Sequence, residues 1–181
     1  LFFSRSLQFM HVPDIRWQGA EEQRVNSLLE TYFDGVDFSD PLILKTRELR
    51  QWMNGYVNFY GATATTSALR DSLFTLAGKR AIEKAKNGHP LVYGWMVDYF
   101  YNGYESFNIQ SGVQMLQTYL SDPRCLTTKR LEIEKRLKGI ETMVPGTTAP
   151  DFMARDASGK PVLFSRYKAN LPYKLVLFWS A

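Results

Sequence analysis

Pro90-Leu91-Val92-Tyr93-Gly94-Trp95-Met96-Val97-Asp98-Tyr99-Phe100 is the stretch on which the reading of the fold turns. Leu91, Val92, Trp95, Met96, Tyr99 and Phe100 recur three and four residues apart, which sets them on one stripe of an α-helix. Pro90 suits the first turn of that helix, where its missing N–H leaves no bond unmade. Asn87-Gly88 just before it suits the end of another helix. A stripe so rich in aromatic rings resembles a cofactor box, but the spacing is that of residues packed into a core.

The same periodicity extends in both directions, from about residue 20 to 141, and predicts six helices. Upstream, Val25, Leu28, Leu29, Tyr32 and Phe33 share a stripe, with Glu21 and Glu22 in the first turn where the helix dipole favours them. The segment Asp34 to Pro41 breaks this helix. A second begins near Thr46, carries Leu49, Trp52, Met53, Tyr56 and Tyr60, and ends near Gly61. A third runs from after Thr63 through Leu69, Leu73 and Leu76 to Ala85. The helix from Pro90 is the fourth. Ile109, Val113, Leu116 and Leu120 define a fifth, with Asn108 as its expected N-cap and Asp122-Pro123 closing it. Ile133, Leu137 and Ile140 mark the sixth, and its Glu132, Glu134, Arg136 and Lys138 at i,i+4 spacing support an exposed, solvated face. Helices of similar length with short links predict a mainly α architecture, an antiparallel bundle or a stack of helical hairpins.

At Val144-Pro145-Gly146-Thr147-Thr148-Ala149-Pro150 the periodicity stops, which reads as a boundary between a helical domain, 1–143, and a second segment, 144–181. Beyond it the chain turns to β. Phe152, Ala154, Val162 and Phe164 alternate with polar residues on either side of Asp156-Ala157-Ser158-Gly159, the pattern of a hairpin. Lys174-Leu175-Val176-Leu177-Phe178-Trp179 then has the unbroken apolar run of a strand covered on both faces.

Composition narrows the function classes. The chain has 181 residues, 45% of them hydrophobic, enough to bury a core and too apolar for disorder. A net charge of +4 with no basic stripe argues against nucleic acid as a partner. No apolar run reaches the roughly 20 residues of a membrane-spanning helix, and Leu1 to Met10 is interrupted by Arg5 and Gln8. The chain opens with neither an initiator Met nor a signal peptide, as a mature or trimmed form does, so export cannot be read from it. Cys125 is the single cysteine, so no internal disulfide forms, and with only His11 and His89 beside it no metal site or other cofactor is expected. His89 reads as a loop residue, and Cys125 as an incidental or half-buried thiol that Arg124 would acidify somewhat.

Gly146-Thr147-Thr148-Ala149-Pro150-Asp151-Phe152, the hairpin with Asp156, Gly159 and Lys160, and Leu175 to Ala181 together resemble the opening of thioredoxin-like proteins of the bacterial cell envelope. That family shows G-x-x-A-P-D-F, a hairpin ending near D-x-x-G-K, and a buried strand ending F-W-x before C-x-x-C. Tyr32-Phe33-Asp34-Gly35-Val36-Asp37-Phe38-Ser39-Asp40-Pro41 is similar to the helical region that precedes such domains in Bacteroidetes proteins, with Phe33 and Gly35-Val36 departing from its consensus.

The resemblance implies a thiol-disulfide oxidoreductase, periplasmic or envelope-anchored, whose partners are disulfide-bearing substrates or redox proteins. It implies that the catalytic cysteines follow Ala181, that Trp179, Ser180 and Ala181 lie beside them, and that the 181-residue chain holds no catalytic residue. A thiolate at a helix N-terminus is stabilised by backbone N–H groups, attacks a disulfide and is resolved by the second cysteine. Trp179 is equally explained as a bulky residue at a strand end. The strand Lys174 to Trp179, without its neighbours, is expected to pack on the helical domain or on another copy. Two other readings remain: a helical binding or scaffold module without redox activity, and a peroxiredoxin-like fragment, which Trp179-Ser180 fits poorly.

Overall fold

The computed structural model describes residues 2–11, 13–148, 150–167, 170, 173, 174, 176 and 177. The protein is mainly α, with seven α-helices and one small antiparallel sheet among the described residues. The helices are α1 (Phe2–Leu7), α2 (Glu21–Thr31), α3 (Glu48–Ala62), α4 (Ser67–Lys86), α5 (Pro90–Ser106), α6 (Gln110–Leu120) and α7 (Arg130–Thr142). The strands are β1 (Met153–Arg155) and β2 (Pro161–Leu163). The chain divides into two compact units, Leu1–Lys138 and Gly139–Ala181, with the division falling inside α7.

In the first unit α4 packs against α3, α5 and α6, and α5 packs against α6, so the hairpins α3–α4 and α5–α6 are stacked. Their shared core is aromatic. Tyr56, Tyr93 and Tyr104 are fully buried with Ile82, Met96 and Leu116. Tyr104 fits because two helices present no side chain to it: a Cβ on Gly78 would meet its hydroxyl at 1.9 Å, and one on Gly112 its ring at 2.6 Å. Its hydroxyl donates to the Phe74 carbonyl at 3.0 Å, which satisfies the polar end of a ring taken out of water. A second group of rings joins α2 to α3, where Tyr32 stacks on Trp52 at 4.8 Å and Phe33 meets Tyr56 edge-on at 4.7 Å.

The connections are built as closely as the core. Thr66 caps α4, its hydroxyl accepting from the Leu69 N–H at 3.1 Å. Gly88 lets the α4–α5 turn approach the Phe38 carbonyl, where a Cβ would come within 2.4 Å. The His89 N–H donates to that carbonyl at 2.8 Å. Gly94 does the same for the 126–128 loop, since a Cβ there would lie 2.2 Å from the Leu126 carbonyl. Asp98 holds that loop as well, accepting from Thr127 and from both the N–H and hydroxyl of Thr128, the latter at 2.6 Å.

Several expectations are corrected. The six helices expected between residues 20 and 141 are α2 to α7, and Phe2–Leu7 adds a seventh despite Arg5 and Gln8. Those two side chains interrupt the apolar pattern because they bind the following loop: Arg5 pairs with Asp40 at 2.5 Å, and Gln8 accepts from the Asp37 N–H at 2.9 Å. Asn108 does not cap α6. It adopts φ 52°, the left-handed conformation that ends α5, and Ile109 occupies the N-cap position without a side-chain bond. The i,i+4 pair of Glu132 with Arg136 does not form among the described residues. Arg136 instead reaches Glu105 on α5 at 2.8 Å, and Glu132 takes Lys129 at i,i+3.

In the second unit β1 and β2 pair antiparallel, Met153 opposite Leu163 and Arg155 opposite Pro161. Of the expected strand Lys174 to Trp179 the structure describes Lys174, Val176 and Leu177, none of which is in a strand. Among the described residues no helix is long and apolar enough to cross a membrane.

Candidate functional site

Trp179, Ser180 and Ala181, the residues the resemblance sets beside a catalytic centre, lie outside the described residues. The hairpin that precedes them is described, and its carboxylates organise it. Asp156 accepts from the Ser158 hydroxyl at 2.6 Å, the Ser158 N–H at 2.9 Å and the Lys160 N–H at 3.0 Å. Three donors converging on one carboxylate stabilise its charged form and hold it below the ordinary aspartate range. Gly159 takes φ 82°, which a side chain would resist. Asp151 does for the hairpin's base what Asp156 does for its turn. It accepts from the Ser165 hydroxyl at 2.6 Å and the Ser165 N–H at 2.9 Å, and Phe152 stacks on Phe164 at 4.7 Å. These contacts build structure and leave no group poised for chemistry.

Cys125 is buried more completely than expected, with 2% of its surface exposed. Burial pushes its thiol up rather than down, the opposite of what an attacking cysteine needs. His89 is more than a loop residue: its Nδ1 accepts from the Leu91 N–H at 3.2 Å and caps α5. Among the described residues no cluster of His, Cys, Asp and Glu is arranged to hold a metal ion.

The first unit also carries a groove of about 420 Å³ between α3 and α5. Its floor is apolar, formed by Val57, Phe74 and Phe100, while Arg50, Asn54 and Asn58 line one wall and Asn102 and Ser106 the other. Tyr99 ties the walls together, its hydroxyl donating to Asn54 Oδ1 at 2.7 Å. Burial pushes that phenol up to about 12, against the pull of the Arg50 charge, so it remains a donor at neutral pH. Arg50 stands 5.8 Å over the Trp95 ring, which stacks on Tyr99 at 5.5 Å. These contacts fix the positions of Arg50 and Asn54 in the groove wall.

Periodicity did not reveal this groove, because its walls belong to helices separated by the whole of α4. The available signal was Arg50, Asn54 and Asn58, polar residues at i, i+4 and i+8 on a helix whose other faces carry buried Leu49, Met53, Tyr56 and Tyr60. No protein-family model matches the chain, and searches of curated proteins and of solved structures find no match either.

Proposed function

We propose that this chain is the non-catalytic leading part of a thiol-disulfide oxidoreductase of the bacterial cell envelope, a helical unit followed by the opening hairpin of a thioredoxin-like domain. The observation that supports it is the hairpin. Strands Met153–Arg155 and Pro161–Leu163 flank a turn organised by Asp156, Gly159 and Lys160, the residues through which the family resemblance runs. Large apolar side chains at its start stay in water, Phe152 38% and Met153 71% exposed, as those of strands that await further sheet or helix would.

On this reading the partners are disulfide-bearing proteins and a redox protein that recycles the cysteine pair. The location is the periplasm or the envelope surface, and self-association would run through Lys174 to Trp179. The reading requires Cys-x-x-Cys in the reading frame just past codon 181. Sequencing that DNA, and assaying insulin-disulfide reduction by the longer protein, tests it. A cysteine pair with enzyme-like reduction that disappears when both cysteines become serine is the expected result. A frame without the pair, or reduction by the 181-residue chain that survives Cys125→Ser, overturns it.

A further inference from the structure

The groove between α3 and α5 has a spacing and a charge that together specify a ligand. Arg50, Asn54 and Asn58 stand one helical turn apart along α3, so neighbouring side chains are about 6 Å apart along its axis. An extended peptide repeats every second residue at about 6.6–6.8 Å. A side-chain amide offers both a donor and an acceptor, the complement of a peptide unit's own C=O and N–H. Among the described residues neither the Asn58 nor the Asn102 side chain has a hydrogen-bond partner, and both are exposed on facing walls. The Asn54 oxygen is taken by Tyr99, which leaves its NH₂ group to donate. Among the described residues Arg50 is the one charged residue lining the groove, no carboxylate lines it, and Arg50 forms no ion pair. At about 420 Å³ the space is within the range of ligand sites.

We propose that this groove binds an extended peptide segment carrying a carboxylate. Asn54, Asn58 and Asn102 pair with alternate backbone units, the apolar floor takes a side chain between them, and Arg50 receives the carboxylate. Two parallel N–H bonds from a guanidinium suit a carboxylate, and the Trp95 ring holds that guanidinium in place without neutralising it. This binding role is independent of whether the hairpin opens a thioredoxin fold.

The test titrates the ¹⁵N-labelled full chain with an acetylated, amidated alanine hexapeptide bearing one central glutamate, with its glutamine analogue, with N-acetylglutamate and with cellotetraose. Expected are amide shifts confined to the α3 and α5 walls with the glutamate peptide, and affinity about tenfold lower for the glutamine analogue and for Arg50→Gln, the cost of one charge-assisted bond. Asn58→Ala, an exposed change, should also weaken the peptide while leaving the melting temperature unchanged. The peptide comparison uses the unaltered protein, so it stands even where a variant folds poorly. Absence of shifts, shifts elsewhere, or equal affinity for the two peptides overturns the proposal. So does N-acetylglutamate binding as tightly as the peptide, which would make this a simple anion site. Cellotetraose binding in place of peptide would make it a sugar site, with the same consequence.

Discussion

The helical unit and the hairpin hold their shapes by different means. In the first, rings and aliphatic side chains are taken out of water, and phenols buried with them reach backbone carbonyls, Tyr104 that of Phe74 and Tyr32 that of Trp52 at 2.8 Å, while the Tyr93 hydroxyl is buried without a hydrogen-bond partner among the described residues. In the second, no residue of β1 or β2 is buried, and the fold is carried by carboxylates on nearby N–H and hydroxyl groups. Burial acts over the whole unit and resists local damage, whereas a carboxylate turn acts over five residues and fails with one group. Charge exposes the same contrast, because the first unit is rich in buried phenols and the second depends on two aspartates.

The largest expected effect is alkaline. Burial pushes Tyr32 from 10.0 to about 12, and pushes Tyr56 and Tyr104 higher still. A phenol whose folded pKa is raised holds its proton more tightly when folded. Its stabilisation is complete below the unfolded value and is lost as pH rises toward the folded one. Helical circular dichroism should therefore collapse cooperatively between pH 10 and about 12, together with phenolate absorbance. Phenols that ionise near pH 10 with the helices intact would show that burial does not protect them.

Next is Tyr104→Ala, which empties the space between Gly78 and Gly112 and should cost about 3–5 kcal/mol in urea unfolding of the helical unit. Hairpin amide shifts should not move. Gly94→Ala is smaller, about 1–3 kcal/mol, because the new methyl meets backbone rather than a movable side chain and must push the 126–128 loop off α5. The Thr128 amide should then exchange faster as its bond to Asp98 opens. A neutral Gly94→Ala would mean that the loop yields without cost.

These positions also mark what the amino-acid sequence made legible. The helices α2 to α7 followed from apolar spacing, since each buries a stripe and a stripe has a period. Helix α1 did not, because Arg5 and Gln8 serve contacts with residues 37–40, far along the chain. Asn108 fits the composition of an N-cap and of a left-handed helix end equally well, and only the path of the backbone separates the two. Arg136 had a local partner in Glu132 and a distant one in Glu105, and spacing sees only the first. The groove shares that origin: each wall is a row of polar residues that local rules assign to solvent, and facing each other across α4 they become a site.

The smallest effect is the most selective. Asp156 and Asp151 lie below their ordinary carboxylate range because hydroxyl and N–H donors favour the charged form. A depressed pKa contributes stability that is complete above the unfolded value and disappears as pH falls through the folded one. Acid should therefore loosen the hairpin as pH drops below 3.8, the unperturbed value, while in the helical unit it should loosen only the Arg5–Asp40 contact and leave the ring-packed core with its signal. Asp156→Asn at neutral pH should mimic part of that loss, because the amide retains an acceptor but carries no charge. The readout is the cross-strand contact between Ala154 and Val162, weakened in Asp156→Asn and in acid, with the melting transition of the helices unmoved. If the two responses fall together, the hairpin draws its stability from packing that the carboxylates merely accompany, and the contrast between the two units disappears.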